Sequence, residues 1–131
     1  MGARLPMIEE SLYHRLGGVY AIAAVVDDFV DRVMADPRLN ANAAVEAAHN
    51  RMHPAGFKYL LTEMVCHATG GPQRYSGKTM KESHRHLNIT PDEWVAFLDD
   101  FRLTLNLFHV PEREQAELFA LVQSTYGEIV V

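Results

Sequence analysis

Cysteine is nearly missing from this chain: Cys66 is the single one among 131 residues. That excludes an internal disulfide, nothing in the cysteine spacing suggests zinc, and a reducing compartment is the simple expectation. Clustered lysine and arginine are also missing, and the net charge is −5 with seven histidines counted neutral. A nucleic-acid partner would need such clusters to neutralise phosphates, so none is expected. There is no run of about eighteen apolar residues, so no membrane span is expected. The opening MGARLPMIEE holds no apolar stretch fit for a signal peptide, and Pro6 stands where a myristoylation signal takes Ser or Thr. The expected location is cytoplasmic. Glycine-rich phosphate loops are absent, and Ser83 has no nucleophile elbow around it. No alternating apolar run is flanked by turn chemistry, so no sheet is expected.

What is present is helical spacing. Apolar residues make up 48% and charged residues 22%, the balance of a globular protein with one core. One domain over residues 1–131 is expected, with 1–10 as an extension outside the core. Ser11 can cap a short helix over Leu12 to Leu16, stopped by Gly17 and Gly18. Val19, Ile22, Ala23, Val26, Phe29, Val30 and Val33 form a stripe at three- and four-residue steps that predicts a helix to Ala35. Asp36-Pro37 ends it. The alanine-rich stretch from Leu39 to Met52 lacks a clear apolar face, and part of it can coil into a short helix. Pro54 suits a first helical turn, and Phe57, Leu61, Met64, Val65 and Ala68 carry the next stripe up to Gly70-Gly71-Pro72. A brief helix is predicted from about Lys78 to Leu87. Thr90-Pro91-Asp92-Glu93 then opens a helix that buries Trp94, Phe97, Leu98, Phe101, Leu105 and Phe108. Pro111 opens the last, with Leu118, Leu121, Val122, Thr125 and Ile129 inside. The class is all-α.

The most informative stretch is GGPQRYSGKTMKESHRHLNIT, Gly70 to Thr90. Two residues on a helix lie about 200° apart, so His84 and His86 cannot face the same way. His84 shares a face with Met80 and Leu87, the apolar side, whereas His86 follows Glu82 on the polar side. An imidazole on the inner face of a short helix is what a haem iron takes as an axial ligand. The same placement suits a neutral core histidine bonded to a backbone carbonyl, and these residues alone favour that plainer role. His49 and His53 are spaced as metal ligands one helical turn apart, but no third ligand of fitting type stands near. His67 is expected at solvent or an interhelical groove, and His14 and His109 at the surface.

Three segments in order, SLYHRLGGVYAI, VVDDFVDRVMADPRL and ATGGPQRYSGKTMKESH, resemble a truncated haemoglobin of the first group. The resemblance runs from about Ser11 to Val122. It implies a compact globin with two helices packed over two around a haem b. It places His84 at the proximal iron position and Met80 beneath the haem. Tyr75 and Lys78 match positions near the propionates, where a hydroxyl and a cation offset carboxylate charge; ordinary turn residues are the other reading of both. Phe57 and Leu61 fall on the distal side.

The departures from the family pattern bear on function. Val30 stands where relatives carry a distal tyrosine, Phe57 or Leu61 where they carry a glutamine, and Leu60 where some cyanobacterial relatives carry a second iron-binding histidine. Asn42-Ala43 replaces a phenylalanine pair, and the segment from Leu39 to Gly56 is several residues longer than usual. A distal donor to partly anionic bound oxygen is worth about 1.5–3 kcal/mol. A pocket of Val30, Phe57 and Leu61 offers none, so fast oxygen release and ready oxidation are expected. His53 is the candidate for rescuing distal polarity, as a donor or a sixth ligand, although Pro54 beside it marks a helix start and favours a capping or surface role. The resemblance implies reversible binding of oxygen, carbon monoxide or nitric oxide, by a monomer or weak dimer with a possible reductase partner. Two other readings stay open: a haem redox enzyme, acting as a nitric oxide dioxygenase or like a peroxidase, and a haem-free helical module.

Overall fold

The computed structural model describes residues 10–131. The expected extension over 1–10 therefore lies outside the described residues, Glu10 apart. Nine helices are described: α1 (Leu12–Arg15), α2 (Gly18–Ala35), α3 (Pro37–Asn40), α4 (Ala43–Arg51), α5 (Pro54–Ala68), α6 (Met80–His84), α7 (Pro91–Leu107), α8 (Glu112–Gln123) and α9 (Tyr126–Ile129). Among the described residues the one β feature is an isolated parallel bridge between Ile89 and Val130. None of these helices is long and apolar enough to cross a membrane.

Local chemistry sets the boundaries. Gly17 and Gly18 take φ of 101° and 81°, left-handed values that turn the chain from α1 into α2. The predicted stripe of α2 is buried at Ile22, Val26, Phe29, Val30 and Val33. Asp36 then caps α3, accepting from the Arg38 amide at 2.8 Å. The ambiguous stretch resolves into two helices, because Asn42 caps α4 by accepting from the amides of Ala44 and Val45. Its Nδ2 also donates to the carbonyl of Leu87 at 2.8 Å and to Glu93 at 3.1 Å, which ties α4 to the turn before α7. Pro54 occupies the first turn of α5, as its sequence predicts. Capping boxes open α6 (Thr79 with Glu82) and α7 (Thr90 with Glu93).

Three expectations need correction. The helix over Lys78 to Leu87 shortens to Met80–His84, since Thr79 is its cap and the chain turns after His84. The last helix breaks at Gln123: the hydroxyls of Ser124 and Thr125 donate back to the carbonyls of Leu121 and Val122 and compete with the ladder there. Phe108 and Leu121, expected inside, are 39% and 37% exposed, because Phe108 caps the end of α7 at a turn and both stand where the interior opens to solvent.

Two helices pack over two. In the first layer α2 makes its most extensive contact with α5, reinforced where Lys58 pairs with Asp27 and Asp31 at 2.8 Å each. In the second layer α7 meets α8 through Phe101 and Phe119, whose centroids are 5.0 Å apart, and through Arg102, which donates to Gln115 at 2.6 Å and stacks over Phe119. Phe29 of α2 joins the layers, lying 5.2 Å from Phe97 and 5.1 Å from Phe101. Arg15 fastens α1 to α8 through Glu114 and Glu117, each at 2.6 Å. α6 rests against α9, and the Val131 amide donates to the Ile89 carbonyl at 3.1 Å. One buried cluster centres on Phe29, Phe101 and Leu105 and another on Val26, Val30 and Cys66, and the space between them is the site.

Candidate functional site

A cavity of about 1070 Å³ opens between the layers. That is at the upper end of the range for small-molecule and cofactor sites. Its wall is largely apolar, supplied by residues such as Phe29, Phe57, Leu61, Phe97 and Ile129. Every residue that the sequence assigns to the pocket lines it: Val30, Phe57, Leu61, Tyr75, Lys78, Met80 and His84. Val30 has no exposed surface and backs the wall beside Cys66 and Val26. Phe57, Leu61, Tyr75 and Met80 are half-buried, and Lys78 is exposed at the rim.

His84 is half-buried at the end of α6. Its Nδ1 lies 2.8 Å from the Met80 carbonyl and 2.8 Å from Ser83 Oγ. A carbonyl can only accept, so Nδ1 carries the proton and Nε2 keeps a bare lone pair. Ser83 sends its own proton to the Thr79 carbonyl at 2.9 Å and leaves a lone pair toward the ring. Burial lowers the pKa of His84, against the Met80 bond, with charge on His86 adding to the fall. The imidazole is therefore neutral at pH 7. A neutral imidazole with its far N–H held by a carbonyl is the state in which histidine binds a metal.

The loop before α6 is held in place. Tyr75 donates its hydroxyl to the Lys78 carbonyl at 2.6 Å, and Ser76 donates to Glu63 of α5 at 2.6 Å. Gly77 passes so near the Tyr75 ring that a Cβ there would stand 2.3 Å from the hydroxyl oxygen. Burial, then the Glu63 charge, raises the Tyr75 pKa, so its proton stays on.

His53 is exposed at the start of α5, makes no side-chain cap bond and is not part of the wall. His49 is: it lines the cavity from α4, two elements apart in sequence from α6. The pair does not share a helix, since α4 ends at Arg51, and among the described residues no group of three His, Cys, Asp or Glu could hold a metal. His49 Nδ1 sits 2.7 Å from Asn40 Oδ1, and burial lowers its pKa. The sequence does carry a signal for it. Val45, Ala48, His49 and Met52 step by three, one and three residues along one face, and all four line the cavity. His67, His14, His86 and His109 are exposed, as expected.

These observations fit a haem. The group is flat and mainly apolar, and it needs an axial base inside a dry slot and polar partners at its edge. The cavity and His84 offer the slot and the base, and Lys78, exposed at the rim, is a cation for the edge.

Known proteins agree. Residues 11–130 match the family model described as "Bacterial-like globin". A group 1 truncated hemoglobin of Synechocystis sp. is 33% identical over 116 residues, covering 85% of this chain and 88% of that protein. One from Tetrahymena pyriformis is 26% identical over 122 residues, with 92% and 95% covered. The crystal structure of the Tetrahymena pyriformis truncated hemoglobin in its Fe(III) form superposes with a TM-score of 0.81 at 25% identity, covering 92% of this chain and 98% of that one. The 2/2 hemoglobin of Synechococcus sp. PCC 7002, in the cyanomet state with covalently attached heme, gives 0.76 at 27% identity, with 87% and 91% covered.

Proposed function

The chain belongs to the bacterial-like globins, among the group 1 truncated haemoglobins, and we propose that it binds diatomic gases reversibly at a haem iron held by His84. The observation that carries this is the neutral imidazole of His84, whose Nδ1–H is tied to the Met80 carbonyl at 2.8 Å inside the apolar cavity. Haem iron would supply an electron-rich coordination site that oxygen, carbon monoxide and nitric oxide can occupy.

The chain's own groups do the rest. Met80 and His84 share one turn and both line the cavity, so Met80 would pack its apolar thioether against a group held by the imidazole. Lys78 stands at the rim to receive a propionate, and Tyr75, whose hydroxyl is spent on the Lys78 carbonyl, holds the loop that carries it. Val30, Phe57 and Leu61 keep water out and offer no hydrogen bond to a captured gas. Cys66 is buried and single, so the Cys-x-x-Cys-His attachment of a c-type haem has no counterpart here. Haem b, the form the family resemblance implies, is the cofactor proposed. A single globin domain, a monomer or weak dimer, a cytoplasmic location and a reductase that keeps the iron ferrous complete the proposal.

The test is an absorption spectrum of the purified protein titrated with hemin, then reduced under carbon monoxide. One equivalent should produce a Soret band that shifts when the gas is added, and His84→Gly should lose tight binding. No Soret band with hemin in excess would reduce the protein to a helical module without haem.

A further inference from the structure

The cavity contains two imidazoles, and they are prepared in the same way. Asn40 donates its Nδ2 to the Met34 carbonyl at 2.9 Å, which turns its Oδ1 toward His49. That oxygen can only accept, so His49 Nδ1 carries the proton and Nε2 is the bare nitrogen. Among the described residues nothing bonds to that nitrogen. His84 is in the same state, its Nδ1–H spent on a carbonyl and its Nε2 free. An acceptor that fixes the outer N–H and raises the basicity of the inner nitrogen is how proteins prepare a ligating histidine. No other residue of the wall has an imidazole.

We propose that His49 is a second axial ligand, its Nε2 taking the sixth position of the haem iron when no gas is bound. This rests on the haem reading above. It moves distal polarity from His53, which lies outside the wall, to α4. The tautomer matters to the assignment. A bare Nε2 can ligate iron but cannot donate a hydrogen bond to a captured gas, so His49 competes with gases rather than retaining them. The cavity is wider than a single side chain needs, so the imidazole has room to rotate away when a gas arrives.

The experiment uses the hemin-loaded full chain. Ferric wild-type protein is expected to be low-spin at neutral pH by absorption and electron paramagnetic resonance. His49→Leu and the near-isosteric His49→Gln should both be high-spin, and His53→Ala should match the wild type. If His49 occupies the iron in nine molecules of ten, the apparent affinity for carbon monoxide is about tenfold below the intrinsic one, and His49→Leu recovers that factor. Asn40→Leu keeps the imidazole but frees its tautomer, so its low-spin fraction should fall between the two. High-spin wild-type protein, or low-spin protein in both His49 variants, overturns the proposal and leaves His84 ligation standing. A high-spin shift in His53→Ala instead would overturn it equally. Failure to bind hemin at all overturns the haem reading itself. Helical circular dichroism equal to wild type is required of each variant, and having two His49 substitutions guards against one that misfolds.

Discussion

The ring of His84 and the carbonyl of Met80 lie within one helical turn and 2.8 Å apart, so the orientation of the imidazole is set by its own helix rather than by a distant carboxylate. A carbonyl orients without adding charge. Removing the imidazole should therefore leave the slot intact. His84→Gly is expected to lose its Soret band at stoichiometric hemin and to regain most of it with millimolar imidazole in solution. A glycine variant that holds hemin as tightly as wild type would place the iron elsewhere.

Phe57 lines the cavity, on the side that the proposed function gives to a captured gas. Phe57→Gln introduces a donor there. A charge-assisted bond of about 1.5–3 kcal/mol corresponds to oxygen dissociation slowed about 10- to 100-fold. Phe57→Leu should leave the rate near that of the wild type. Stopped-flow oxygen release separates the two, and equal rates would mean that this side chain does not face the ligand.

A buried acid pair at the α3–α7 junction makes stability depend on pH. Burial and the bond to Asp36 push the carboxyl of Asp100 up from 3.8 to about 7. Burial also opposes ionisation of Asp36, but the bonds from Arg38 and Asp100 outweigh it and hold Asp36 below its ordinary value. Between pH 3.8 and about 7 the folded chain binds more protons at Asp100 than the unfolded chain does. Stability from this group is complete below that window and is lost as pH rises through it. Asp100→Asn should therefore flatten the fall in melting temperature between pH 5 and pH 8, and should melt higher than wild type at pH 8. An undiminished fall would remove Asp100 as its source.

Tyr75 and Gly77 form a steric pair, since a Cβ at 77 would meet the phenol oxygen at 2.3 Å. Gly77→Ala should displace the phenol, break its bond to the Lys78 carbonyl and speed the transfer of hemin to excess apomyoglobin. Tyr75→Phe should move the rate in the same direction with less disturbance of the loop. Wild-type transfer rates in both would detach the rim from haem retention.

The long helices were legible because each has both a stripe and a start signal. α7 carries Thr90, Pro91 and Glu93 ahead of Trp94, Phe101 and Leu105, and these agree with the structure, while Phe108 at its far end does not. His84 could be singled out because Met80 and Leu87 mark its face. What stayed hidden was α4. Alanine contributes little apolar area, so its inner face reads as weak, although Val45, Ala48, His49 and Met52 have the spacing. Its start depends on Asn42, whose bonds to Leu87 and Glu93 reach 45 and 51 residues along the chain. The cap bonds themselves, from the amides of Ala44 and Val45, are local and of an ordinary kind; the remote bonds that hold Asn42 in place have no local pattern. His53 stands one turn before Phe57, but the break between α4 and α5 leaves it exposed. The split of α8 from α9 is equally hard to read: Ser124 and Thr125 suit a helix and a turn alike, and their hydroxyls decide locally.

α6 has five residues, none of them buried, which is too short to hold its shape in water unaided. Its order is lent by Thr79 and Glu82 at one end and by α9 with the Ile89–Val130 bridge alongside. The carboxyl-terminal tail is thus a clasp on the element that presents His84. Whatever frays the final turn, whether a protease, a fused partner or heat, should slacken the grip on iron before the two main layers part.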